Sequence, residues 1–227
     1  MNFAFLGQVR SLYAPIAPTF TVDTTSHATA VANAAGTTLT WNHTCGAGAS
    51  KLVVFGTGAK SVSADRNITG VTYNSVALSF VGAQDDANFV NAEIWKLDSP
   101  TTGSSLAIVV TFGGTLVDQC GGAISFTGSA TAEGSPTGAT NTTDNPSVTV
   151  ADTANGDIVV SVLVSDIGPV GATTEAGTLI WEDEDVDSDC DSNAQRQNAT
   201  GANTVCSWTS ASGGNRWAAV GVAIKSA

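Results

Sequence analysis

The chain has 227 residues, of which 12% are charged, and its 20 acidic and 8 basic side chains give a formal net charge of -12. Such an acidic chain repels a phosphate backbone and an anionic membrane surface, so neither nucleic acid nor a membrane is an expected partner. No apolar run approaches the roughly 20 residues that cross a bilayer. The 24 glycines and the many Thr, Ser, Ala and Val residues favour strands and turns over helices. We therefore expect an all-β protein.

The first 17 residues are rich in apolar side chains, and Pro15 and Pro18 break any regular structure between them and the rest of the chain. They predict an N-terminal arm over residues 1–17 that docks on a neighbouring subunit or a larger assembly; the alternative is that the segment lies along its own domain. Gln8 and Arg10 interrupt the apolar core that a secretory signal requires, so we expect Met1 to be the true start. The apolar side chains of the arm are Phe3, Phe5, Leu6, Val9, Leu12 and Tyr13.

From Thr19 onwards, short β-branched runs recur between turn residues. This spacing predicts an antiparallel β-sandwich of jelly-roll type, as a single domain over residues 18–227. Two half-similar units are an open alternative, but no fixed repeat period is visible. Strands are predicted at 19–22, 29–32, 38–43, 51–56, 71–73, 76–81, 92–97, 106–112, 123–127, 147–150, 157–165, 178–182, 204–209 and 216–224.

Four local patterns refine this prediction. The Asn74-Ser75 pair predicts a hairpin, because Asn-led two-residue links enter left-handed turn space. Alternation over 92–97 predicts Trp95 and Leu97 on one face of a strand and Ile94 on the other. The apolar run 158–164 predicts a central strand that is covered on both faces, whereas the small, polar residues of 129–145 predict a long surface connection.

An acidic segment at 182–191, EDEDVDSDCD, places carboxylates at nearly every second position. Carboxylate oxygens are the ligands that calcium prefers, so the segment predicts a calcium site formed by Asp183, Asp185, Asp187 and Asp189. The glycine and the distal glutamate of an EF-hand are missing at the required spacing. A solvated acidic loop is therefore the favoured alternative, and no other cofactor is expected.

The four cysteines show no CxxC spacing, which disfavours zinc. Cys190 and Cys206 bracket a polar loop and predict a disulfide worth roughly 3 kcal/mol. Cys45 and Cys120 are the candidates for a second bridge. The alternative for both pairs is buried thiols in a reducing compartment.

Signals for catalysis are poor. His43 lies two residues before Cys45, but no orienting Asn or Asp and no oxyanion-forming turn can be identified for a Cys-His pair. The glycine-rich stretch 56–61 lacks the spacing of a phosphate loop and predicts a turn. Asp85 and Asp86 are predicted in a loop, with Glu93 on a strand, and they do not define the carboxylate pair of a glycosidase. No enzymatic activity is expected.

The five tryptophans have two interpretations. Most are expected in the core, where an indole buries a large area. Trp95 and Trp181 are the candidates for stacking against a glycan.

Several stretches together resemble a β-sandwich domain of tailed-bacteriophage virion structural proteins, which also occurs in bacterial surface proteins. They are TLTWNHTCGAGASKLVVFG, ITGVTYNSVALSFV, AEIWKLDSPTTGSSLAIVVTF, GGAISFTG, ANGDIVVSVLVS and WAAVGVAIKSA. The resemblance covers about 19–227 and brings no catalytic residue. It implies a capsid decoration, head-fibre or tail accessory protein that binds the particle or neighbouring copies, assembled in the host cytoplasm.

Two further expectations accompany this resemblance. A homo-oligomer is expected because spikes and decorations need closed symmetry, and a trimer is the favoured prediction. The alternative function is a carbohydrate-binding or adhesive module that acts outside the cell or at its surface.

Overall fold

The computed structural model describes residues 20–28, 36–59, 67–86, 90–116, 118–142, 145–165, 177–183, 191–209 and 216–227. These residues form an all-β structure, as predicted, with antiparallel pairing throughout. None of them belongs to a helix that is long and apolar enough to span a bilayer. The strands are β1 (Thr21–His27), β2 (Gly36–Thr44), β3 (Ala49–Ala59), β4 (Ile68–Tyr73), β5 (Val76–Ala77), β6 (Ser79–Asp86), β7 (Val90–Asp98), β8 (Ser105–Leu116), β9 (Asp118–Thr127), β10 (Ser129–Glu133), β11 (Thr137–Asn141), β12 (Ser147–Ala151), β13 (Ile158–Ser165), β14 (Thr178–Asp183), β15 (Asp191–Asn198), β16 (Asn203–Ser207) and β17 (Trp217–Ser226).

The strands form four sheets. The first outer sheet has the order β2-β8-β4-β5, and the first inner sheet has the order β1-β9-β3-β7-β6. The second inner sheet has the order β10-β17-β13-β15-β14, with β11 also paired to β17, and the second outer sheet contains β12 and β16. We call the first two sheets the first unit and the last two the second unit.

A central core joins the two inner sheets. Val53 and Phe55 of β3 pack in it together with Val160 and Val162 of β13. The side chains on the opposite face of β3, such as Leu52, pack against the first outer sheet, because successive residues of a strand point to opposite faces. In the same way, β13 presents its other face to the second outer sheet. The sheets therefore lie in four layers, outer, inner, inner and outer.

The two units have the same strand order in their inner sheets. The order β1-β9-β3-β7-β6 of the first corresponds to β11-β17-β13-β15-β14 of the second. The register agrees as well, since Phe55 is paired with Ile94 and Gly122, and Val162 is paired with Ala194 and Val220. The structure thus contains the half-similar units that the sequence left open.

An irregularity of pairing confirms this correspondence. In the first unit the register shifts between Phe80 and Gly82, opposite Trp95 and Ile94. In the second unit it shifts between Leu179 and Trp181, at the equivalent place on β14. A bulge is a specific local feature of a strand. Its presence at the same position makes Phe80 and Leu179 structurally equivalent.

The units pack through equivalent faces. Strand β6 of the first unit lies against β11 of the second, and β14 of the second lies against β1 of the first. Each unit therefore offers the same pair of strands to the other, as the subunits of an isologous dimer do. The chain is built as a pseudo-dimer within one polypeptide.

A cluster of four charges lies in the same interface. Lys51 is fully buried and forms ion pairs with Asp98, at 2.5 Å, and with Glu133 of the second unit. Lys96 pairs with the same two carboxylates, at 3.0 Å and 2.6 Å. Burial acts to lower the pKa of Lys96, but its hydrogen bonds to Glu133 and Asp98 outweigh that effect and raise the pKa.

The local predictions are largely confirmed. Asn74 and Ser75 have φ values of 50° and 64° and form the predicted link between β4 and β5, but the predicted strand 76–81 is divided between β5 of the first outer sheet and β6 of the first inner sheet. Trp95 packs on the core of the first outer sheet, while Ile94 belongs to the central core. Strand β13 is buried along its whole length, with side chains in two cores.

Other predictions are wrong. The stretch 129–145, predicted as a surface connection, contains β10 and β11, because its small residues pair with β17. The first residues of the predicted turn 56–61 continue β3. Asp85 and Asp86 lie in β6 and not in a loop. The predicted antiparallel β-sandwich is confirmed, with its sheets in four layers, while the jelly-roll connection order stays a prediction. The predicted strand 29–32 and the arm 1–17 lie outside the described residues.

Candidate functional site

A buried polar cluster surrounds His43 at the end of β2. A bulge in β1 sets Asp23 and Thr24 opposite the single residue Ser125 of β9, and this brings them into contact with the cluster. His43 is 1% exposed. Its Nδ1 atom lies 2.8 Å from Ser26 Oγ, and its Nε2 atom lies 3.2 Å from Ser125 Oγ.

The direction of these hydrogen bonds follows from the groups at the ends of the chain, which can act only as donors or only as acceptors. Ser125 donates its one proton to Asp23, so it can only accept from His43 Nε2. The neutral ring then accepts at Nδ1 from Ser26, whose oxygen also accepts from Trp41 Nε1 at 3.1 Å. His43 then carries its proton on Nε2 and donates to Ser125. Ser125 in turn donates to Asp23 Oδ2 at 2.7 Å. The chain of donors therefore ends on a carboxylate, which also accepts the Gly46 amide at 2.7 Å.

This arrangement keeps His43 neutral. Burial lowers the pKa of His43 to about 4, and the nearby Asp23 opposes this only in part. Both ring nitrogens are already engaged inside the fold, and the Ser125 hydroxyl is directed to Asp23 and not to the imidazole. The cluster holds β1, β2 and β9 together, and it does not have the order of a nucleophile that is activated by a base.

Burial also makes the described thiols unreactive. Burial raises the pKa of the Cys45 thiol, and it raises the pKa of Cys206 to about 11. Cys45 and Cys120 belong to different cores and are not bonded to each other. Cys206 is a buried thiol, while its predicted partner Cys190 lies outside the described residues. Among the described cysteines, then, the alternative of buried thiols is the observed one.

The aromatic side chains of β6 and β7 form an exposed patch. Phe80 is 54% exposed, and its ring meets Trp95 edge-on with centroids 5.4 Å apart. The register pairs these two residues directly across the strands. Trp95 Nε1 donates to Glu93 Oε2 at 2.9 Å, which holds the indole in place. We call this pair the Phe80–Trp95 patch.

Glu93 itself is buried and well hydrogen-bonded. Its Oε1 atom accepts from Asn91 Nδ2 and from the Ile68 amide, both at 2.8 Å. Three donors thus surround a carboxylate that is 3% exposed. The arrangement suits a carboxylate that orients Trp95 and fastens β4 to β7, and it is not the open carboxylate pair of a glycosidase.

Trp181, the second predicted glycan platform, is in the wrong place for that role. It is 3% exposed and packs in the central core between the units. Its indole lies over Gly122, where an added Cβ would come within 2.1 Å of the ring. A ring enclosed in this way presents no face to a sugar, so this part of the prediction is wrong. Trp95 remains on the patch and is partly exposed.

The predicted calcium ligands are only partly visible. Asp183 ends β14 and is half-buried, whereas Asp185, Asp187 and Asp189 lie outside the described residues. Within the part of the chain that is described, no group of three or more His, Cys, Asp or Glu side chains is arranged to hold a metal ion. The calcium site stays a prediction.

A polar pocket of about 310 Å³ lies beside β14 and β15. Its lining residues are Gly177, Thr178, Arg196, Gln197 and Asn198. Arg196 is the charged side chain among them. No sequence motif marks this pocket. Its lining residues come from two separate stretches of the chain, which meet only because β14 pairs with β15.

The sequence also missed Phe80 and the Ser26–His43–Ser125–Asp23 chain. Phe80 lay within the predicted strand 76–81, two residues after the buried Leu78, so simple alternation placed both side chains on one face and gave no signal for an outward Phe80. Ser125 is 82 residues from His43, and no local pattern joins them. Comparison with known proteins adds nothing to this picture, since no protein-family model, curated protein or solved structure matches the chain.

Proposed function

We propose that this chain is a non-enzymatic structural protein that assembles with neighbouring copies or with a larger particle. In line with the sequence resemblance, the particle is a virion, and the chain is a decoration, head-fibre or tail accessory protein. One observation carries the proposal: among the described residues, the side chains best suited to catalysis, His43, Cys45 and Glu93, are buried, and those of His43 and Glu93 are held in hydrogen bonds within the fold. The described part of the chain is then a stack of sheets, which suits a structural role.

The mechanism is mechanical. The arm, residues 1–17, anchors the chain through its apolar side chains, and the four-layer stack stands outward from the contact. The central core and the Lys51 cluster tie the two units together, so the stack transmits force as one body. The net charge of -12 keeps assembled particles apart in solution.

Light scattering on a size-exclusion column tests this function. The full chain is compared with a chain that starts at Pro18, each with and without a chelator. A defined oligomer that the shortened chain loses supports the proposal. Loss on adding the chelator would in addition assign a metal to the acidic segment. A monomer that is indifferent to both changes contradicts the proposal.

A carbohydrate-binding or adhesive module is the second candidate. The exposed Phe80 ring and the oriented Trp95 indole favour it, because sugars stack on aromatic faces. A glycan array probed with the wild-type chain and with Trp95→Ala would test it. Binding that the substitution removes would support this module and count against the assembly protein.

A further inference from the structure

The Phe80–Trp95 patch lies at the free edge of a sheet. Strand β6 is the last strand of the first inner sheet, and among the described residues no strand pairs with its outer edge. Ala83 and Asp85 are exposed on the same face of β6 as Phe80. An exposed apolar surface beside an open edge marks a place where another chain binds.

The charge of the chain indicates which segment fits. Arg10 is the only charged residue among the first 19, which contain no acid. The remainder of the chain carries 7 basic and 20 acidic side chains, a formal net charge of -13. An apolar segment with one positive charge is thus complementary to an aromatic patch that has Asp85 on the same face of β6, about 13 Å farther along the strand. The apolar side chains available are Phe3, Phe5, Leu6, Val9, Leu12 and Tyr13.

The position of the chain start supports contact between copies. The described chain begins at Phe20, whose ring packs on Phe126 of β9 with centroids 5.5 Å apart. This is the β1 edge of the first inner sheet, about 19 Å across the sheet from β6. Nineteen residues reach at most about 65 Å, so the arm is long enough to reach the β6 edge of a neighbouring copy that lies side by side with its own.

We propose that residues 1–17 of one copy dock on the Phe80–Trp95 patch of a neighbouring copy. The apolar side chains of the arm cover the two rings, and Arg10 lies near Asp85. This inference rests on the proposed function and adds the surface that receives the arm. The contact joins two different surfaces: made reciprocally it closes a two-fold dimer, and made head to tail it builds a ring or a filament.

The second unit provides a matched control. Leu179 occupies the position equivalent to Phe80 and is 42% exposed, so Leu179→Ser removes a comparable apolar side chain from the unit that lacks the aromatic pair. Light scattering should find the wild-type oligomer in Leu179→Ser. Phe80→Ser should behave like the chain that starts at Pro18. Unfolding curves in urea check that both variants remain folded.

A direct binding measurement completes the test. A fluorescent peptide of residues 1–17 is titrated with the chain that starts at Pro18, and its anisotropy is followed. We expect Phe80→Ser to weaken binding at least about tenfold, as the loss of an aromatic anchor does, while Leu179→Ser leaves it unchanged. Replacing Arg10 by Gln in the peptide should weaken binding and reduce its dependence on salt.

The outcomes separate this inference from the proposed function. If the shortened chain loses the oligomer but Phe80→Ser keeps it and still binds the peptide, the function stands and the docking surface is wrong. If the peptide does not bind the shortened chain, the docking surface is also wrong. If a glycan, and not the peptide, binds in a way that depends on Phe80, both proposals are wrong.

Discussion

Lys51 and Glu133 belong to different units of the stack, and their side chains form an ion pair in the interface between the two inner sheets. Lys51 is fully buried, so carboxylates take the place of water around its ammonium group. Asp98 is the other partner, and burial acts to raise its pKa, but hydrogen bonds from Lys51 and Lys96 outweigh this and lower the pKa.

Replacing Glu133 by Gln should therefore destabilise the protein. One partner of a buried charge is lost while Asp98 remains, so we expect a decrease in the free energy of unfolding of about 2 kcal/mol. Urea denaturation gives this value. Asp85→Asn, an exposed change on the same protein, should stay within about 0.5 kcal/mol. Equal effects of the two substitutions would show that the interface does not depend on the ion pair.

The buried His43 predicts a loss of stability in acid. Its pKa is about 4 in the folded protein and 6.5 in the unfolded chain, so the unfolded chain binds the proton first. The stabilisation is fully present above pH 6.5 and disappears as the pH falls towards 4, a loss of about 3 kcal/mol from this group. His43→Gln keeps a neutral side chain at every pH. Its free energy of unfolding should fall less steeply between pH 6.5 and 4 than that of the wild type; parallel curves would contradict the assignment.

The contact between Gly122 and Trp181 predicts a packing defect. A Cβ at Gly122 would come within 2.1 Å of the indole, so Gly122→Ala must displace the ring from the central core and should cost about 1 to 3 kcal/mol. Gly70→Ala is the control, because a Cβ there has no neighbour within 4 Å. Thermal unfolding followed by tryptophan fluorescence compares the two. A neutral Gly122→Ala would mean that the units pack less tightly than described.

Cys206 should resist alkylation in the native protein. Burial raises the pKa of its thiol to about 11, which leaves almost no thiolate at neutral pH. Iodoacetamide, followed by peptide mapping, should modify Cys206 only after unfolding in urea. A peptide map prepared without reductant also tests the predicted bridge, because a Cys190–Cys206 disulfide would protect Cys206 even in urea.

The docking surface can be tested with the two serine variants introduced above. Phe80→Ser and Leu179→Ser remove exposed side chains at equivalent positions, so we expect neither to change the free energy of unfolding by more than about 0.5 kcal/mol. Only Phe80→Ser should reduce the oligomer measured by light scattering. If both variants reduce it, the two edge strands contribute equally and the arm does not select the aromatic patch.

The sequence by itself determined the class of fold and the orientation of single strands. β-Branched runs, the Asn74-Ser75 link and the alternation of Trp95 with Ile94 act over a few residues, and they follow the local rules of a pleated chain. They predicted the all-β structure, the hairpin and the buried strand β13. They also placed Trp95 on the strand face opposite Ile94, and the structure shows that this face is the outer face of the first inner sheet.

Only the tertiary structure decided what lies opposite each face. Alternation separates the two sides of a strand, but it does not say which sheet covers each side. Trp181 is enclosed because Gly122, some sixty residues earlier, leaves room for it in the other unit. Likewise, the donors around His43 come from β1 and β9, with Ser125 82 residues away. Contacts at such distances arise when the sheets pack, and no local pattern encodes them.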